Sequence, residues 1–64
     1  MNFVTGQIEE IYVEGGSAMA RVKVHGAYMR VPLMFVLDAR VGDLILIESG
    51  VAISKVQAEH PQEM

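Results

Sequence analysis

From Ser17 to His25 the chain alternates: Ala18, Ala20, Val22 and Val24 share one parity, while Met19, Arg21, Lys23 and His25 share the other. Successive side chains on a strand point to opposite faces, so this segment is a strand with one dry and one wet face. Gly15-Gly16 just before it predicts a hairpin turn, because two-residue hairpin loops demand positive φ. The strand leading into that turn runs from about Phe3 to Val13. Its apolar positions change parity on the way, from Val4, Gly6 and Ile8 to Ile11 and Val13. A β-bulge near Glu9-Glu10 reconciles the two sets, since one extra residue shifts the inward side by one. Long first strands bent in this way turn the corners of small barrels.

Gly26 breaks the pattern again, and Ala27 to Val31 form a third strand, with Pro32 placed at its end or on an edge because proline cannot donate to a ladder. Leu33 to Arg40 is apolar without alternation, and Leu33, Val36 and Leu37 have helical spacing, which predicts a short helical turn plugging one end of a barrel. Val41-Gly42-Asp43 reads as a turn. Leu44 to Ile47 is apolar at every position, which implies cover on both sides, and Ser49-Gly50 leads to a last strand from Val51 to Val56. The domain is expected to span residues 1–57, with 58–64 as a polar, frayed tail carrying His60 and Pro61. The fold class expected is all-β: a small five-stranded antiparallel barrel of the OB type, with one short helical turn between strands three and four. An SH3-like barrel predicts nearly the same string.

Size then changes the picture. A chain of 64 residues makes one domain and buries only about 60% of its unfolded surface, so some further staple is expected. There is no cysteine, which removes disulfides and thiolate metal sites, and two histidines alone make a structural zinc site improbable. Association is the staple left. With 52% hydrophobic residues and a mean hydropathy of +0.32, the chain carries more apolar side chains than a small barrel holds, which predicts a homo-oligomer or a protein partner. A net charge of −3 and a pI near 5.1 argue against a general nucleic-acid binder, because only five Lys or Arg are available for phosphates. No apolar run reaches the roughly eighteen residues of a membrane span, and Met1-Asn2-Phe3-Val4 lacks the basic start of a signal peptide, so a cytoplasmic location is expected.

No nucleophile and base pair up. Ser17, Ser49 and Ser54 have no histidine close in the expected fold, Asp38 and Asp43 flank a turn, and the glycines form no phosphate cradle. His25 and His60 are too distant to make a metal pair. The expectation is a protein that is not an enzyme, with no cofactor and no resident metal. One stripe does have a functional reading. Arg21, Lys23 and Arg30 with Tyr28 lie on strands two and three, the face on which OB modules stack single-stranded bases over a basic groove. The competing reading is a solvated face neutralised by Glu9, Glu10 or Glu14 on the neighbouring strand.

Val41-Gly42-Asp43 followed by Gly50-Val51-Ala52-Ile53-Ser54-Lys55 forms a specific closing segment. Together with Gly6, Ile8, Gly15-Gly16 and Val31 to Leu37, it resembles the hydrogenase-maturation chaperones of the HypC/HupF family. The resemblance implies a role in metalloenzyme assembly. In that family a cysteine beside the initiator methionine and the histidine of the closing strand handle an iron bearing cyanide and carbonyl ligands, passed from an iron-sulfur scaffold protein to the hydrogenase large subunit. Thiolate and imidazole suit low-valent iron. Here Asn2 and Glu48 stand in their places, Thr5 replaces a proline, and Val51 replaces an aromatic. An amide binds metal poorly and a lone carboxylate prefers hard ions, so iron transfer is not expected to survive.

The leading expectation is therefore an accessory, chaperone-type protein that binds a metalloenzyme subunit or maturation protein, itself, or both. Its expected contacts are Asn2, Phe3, Met19, Met29, Met34, Phe35 and Glu48, methionines suiting such surfaces because the side chain is flexible and polarisable. Glu48 could equally be a solvent-facing strand end, Asn2 a fraying first residue and Phe3 a core aromatic. The alternatives are an OB-type single-stranded nucleic-acid module using Arg21, Lys23, Tyr28 and Arg30, and a self-assembling structural subunit.

Overall fold

Five strands make up most of residues 3–56, the part of the chain that the computed structural model describes. They are β1 (Phe3–Glu14), β2 (Ser17–Val24), β3 (Ala27–Pro32), β4 (Leu44–Glu48) and β5 (Val51–Val56). All neighbouring pairs are antiparallel and form one sheet in the order β3-β2-β1-β4-β5. The long β1 sits in the centre and changes partner along its length, pairing with β4 from Phe3 to Gln7 and with β2 from Gln7 to Glu14. The register slips between Ile8 and Glu10, so Glu9 is the extra residue of a bulge where the sequence placed one.

The edge strands β3 and β5 come against each other. No ladder joins them, so the sheet curls into a barrel-like shape without closing. This is the strand order of a partly open OB-type barrel. At the end of β3, Pro32 has no N–H to offer, and the Leu33 amide donates to the Ala18 carbonyl at 3.0 Å instead.

The core is aliphatic. Ile8, Ala20, Val22, Val31, Ile45, Ile47 and Ala52 come from all five strands, and Leu33 and Val36 from the β3–β4 linker. Each large member contributes about 1.5–3 kcal/mol through burial. Small residues face large ones across the ladders, Ala20 opposite Val31 and Ala52 opposite Ile47, which lets the sheet curl tightly. No polar side chain is buried among the described residues.

Two expectations change. The linker holds no helix: Val36 donates to Leu33 O and Ala39 to Val36 O, at 3.0 and 3.2 Å, two successive turns closed three residues apart. Leu33 and Val36 are buried as that spacing demands, while Leu37, which a helix would have turned inward, is 80% exposed. The second change concerns β4. Ile45 and Ile47 are buried, but Leu44 is 41% exposed and Leu46 is half-buried, so among the described residues nothing fully covers the outer side of β4. Residues 57–64, expected as a tail, lie outside the described residues.

Candidate partner-binding surface

The linker from Leu33 to Asp43 is pinned at both ends and apolar in between. Leu33 and Val36 plug the core, which turns their neighbours Met34, Phe35 and Leu37 outward. Met34 and Leu37 line a groove of about 240 Å³ against Gly16, Ser17, Ala18 and Pro32, where the β1–β2 hairpin meets the end of β3. Phe35, 68% exposed, stands beside it in sequence. The far limb closes with a turn in which the Asp43 amide donates to Arg40 O at 3.0 Å and the Arg40 amide to Asp43 Oδ2 at 2.9 Å. The ladder then resumes as Ile8 N donates to Asp43 O and Gly42 N to Ile8 O.

Lys55 fastens this limb to β5. It lies opposite Ile45 on the inner side of the sheet, and its Nζ reaches Asp38 at 3.3 Å and Asp43 at 3.8 Å. The Lys55 ammonium donating toward the Asp38 carboxylate, helped by a backbone hydrogen bond at Asp38 itself, holds that carboxyl below its ordinary range. This clasp joins residues 17 and 12 positions apart, which alternation in the sequence could not pair.

The other expected contacts are divided. Met19 lies half-buried opposite Tyr12 and Pro32. Met29 lies opposite Val22 and packs against the core, because the β2–β3 register turns it inward, so it is not part of an outer patch with Met34 and Phe35. Phe3 and Glu48 are direct cross-strand neighbours at the start of β1 and the end of β4, away from the linker groove. Phe3 is 45% exposed, neither wholly core nor wholly free. Asn2 lies outside the described residues. Two exposed apolar side chains of the linker that sequence reasoning did not single out are Leu37 and Val41. The absence of alternation from Leu33 to Val41 was their signal, read instead as a helix.

The basic stripe is largely occupied. Arg21 opposes Arg30 across the β2–β3 ladder, yet each has a glutamate from β1: Arg21 with Glu10 at 3.6 Å and Arg30 with Glu14 at 3.4 Å. The Arg21 guanidinium also lies 5.0 Å from the centre of the Tyr28 ring, over the surface on which a base would stack. Lys23, opposite Tyr28, has no ion pair among the described residues. The described residues contain no group of three or more histidine, aspartate or glutamate side chains placed to hold a metal ion, and no helix long and apolar enough to cross a membrane.

No curated protein matches the chain. The sequence model of the HupF/HypC family matches residues 4–64, nearly the whole length and every strand described above. With that match over an all-β, OB-ordered sheet, the chain belongs to the HupF/HypC family, accessory chaperones of hydrogenase maturation.

Proposed function

We propose that this protein is a docking chaperone that works in the cytoplasm and engages a hydrogenase subunit or maturation protein through the apolar β3–β4 linker, without carrying the iron centre itself. The exposed side chains of Met34 and Phe35, between the buried Leu33 and Val36, and of Leu37 just after them support this reading most directly. Flexible and aromatic apolar groups around a shallow groove suit a protein surface better than a small polar substrate. The donors available for an iron cargo do not suit it. Cysteine is absent from the sequence, and Glu48 offers one hard carboxylate between Phe3 and Val51. The excess of apolar residues further supports association of the chain with itself.

Co-purification from the native host tests the docking. The expected result is recovery of a hydrogenase subunit or maturation protein with the native chain and its loss with Phe35→Ser and Met34→Ser together. Recovery of only ribosomal or nucleic-acid components would overturn the reading. Titration with ferrous iron under anaerobic conditions is expected to show no stoichiometric binding; a tight one-to-one complex would return the iron-carrying role.

A further inference from the structure

One wall of the linker groove is made by the β1–β2 hairpin and the end of β3, the other by Met34 and Leu37. The two side chains of the second wall are held in different ways. Met34 follows Leu33, whose amide donates to the Ala18 carbonyl and whose side chain is buried, and the buried Val36 comes two residues later. Leu37 lies beyond the last fully buried residue of the linker and is itself exposed, so its own packing does not place it. After it, the Ala39 amide donates to Val36 O at 3.2 Å, and Ala39 is partly buried against the core. Between the two stands Asp38, the residue next to Leu37, whose carboxylate is tied to Lys55 Nζ at 3.3 Å. Lys55 is the firmer partner, since its side chain is 34% exposed against 79% for Asp38. Its ammonium also lies 3.8 Å from Asp43 Oδ2, the oxygen that accepts from the Arg40 amide at 2.9 Å. One lysine on β5 thus holds the limb from Asp38 to Asp43 at both of its ends.

We propose that Lys55 is a positioning residue for docking: by holding Asp38 and Asp43 it sets Leu37 into the groove wall before a partner arrives. This rests on the docking reading above and deepens it. Backbone that must be ordered at the moment of binding costs affinity, and a limb already ordered in the free protein avoids that cost. The lysine touches no part of the groove lining, so its influence on a partner passes through Asp38 and the backbone beside it. Ion pairs at the surface are individually weak, so the effect is a few-fold loss and not an abolition.

Amide hydrogen exchange of the full chain, followed by NMR, tests the positioning. The hydrogenase subunit or maturation protein recovered with the native chain serves as the probe of docking. Lys55→Met keeps the stem and removes the charge. It should speed exchange at the Ala39 and Asp43 amides about threefold, leave the amides of the β2–β3 ladder at the native rate, and lower recovery of the probe at least about threefold. Lys55→Arg, which keeps a cation at this position, should restore both. Asp38→Asn, at an exposed position, should act in the same direction and decides the matter if Lys55→Met does not fold. Exchange at Ala39 and Asp43 that stays at the native rate, or that rises equally with the ladder amides, overturns the proposal. Undiminished recovery with a loosened limb overturns it too, and leaves the docking reading standing. If the native chain recovers neither kind of protein, the docking reading falls and this role falls with it.

Discussion

A methyl group added at Gly6 would collide with the Val22 side chain, lie 2.7 Å from Val24 Cγ2 and 3.0 Å from Lys23 O. The crossing of β1 over β2 depends on the missing side chain at this position, which is why a glycine stands in a strand that otherwise favours branched residues. Gly6→Ala should cost about 1–3 kcal/mol, the range of overpacked cores, read as a lower urea midpoint. An unchanged midpoint would show that the strands part freely here. His25 makes the opposite case. It sits at φ 50° ahead of Gly26 at 84°, a turn with two left-handed positions that Asn-Gly adopts more readily. His25→Asn should stabilise by about 0.5 kcal/mol, seen as a higher melting temperature, and a fall would mean that the imidazole has a contact worth more than the strain. Gly6 was visible in the sequence as a family match; the reason for it was not, because the clash is with a strand some sixteen residues away.

At the scale of elements, the strands were legible and the linker was not. Alternation in Ala18 to Val24 and the parity change around Glu9 are local records of which side faces in, and the register agrees with both. In the linker, a spacing of three and a spacing of four both fit Leu33, Val36 and Leu37, and only packing chose the first. The Lys55 clasp then sets the limb in place. Because the Asp38 carboxyl titrates below its unfolded value of about 3.9, the stabilisation it gives is complete above that value and disappears as pH falls through the lower native one. An NMR titration should find the Asp38 midpoint depressed in the native protein and returned toward the ordinary value in Lys55→Met. An identical midpoint in the variant would place the cause elsewhere. Asp38 is open to solvent, so added salt should shrink the shift.

For the whole molecule, the question is which surface is spent on the fold and which is left for company. Arg21 and Arg30 are engaged by Glu10 and Glu14, and Tyr28 by Arg21, so a single-stranded oligonucleotide titrated at low salt should show no association. Binding that weakens steeply with salt would reopen the nucleic-acid reading. The sequence alone determined the class, the number of strands and their borders to within a residue, the bulge, and the surplus of apolar residues, because each is written in local periodicity or in composition. Tertiary structure alone decided where the surplus goes. Met29, alike in chemistry to Met34, turns inward because the ladder sets it opposite Val22, while Met34 and Phe35 turn outward because Leu33 and Val36 fill the core between them. A side chain's hydrophobicity is local, but the face it takes depends on the register of strands distant in sequence, and only the folded sheet fixes that.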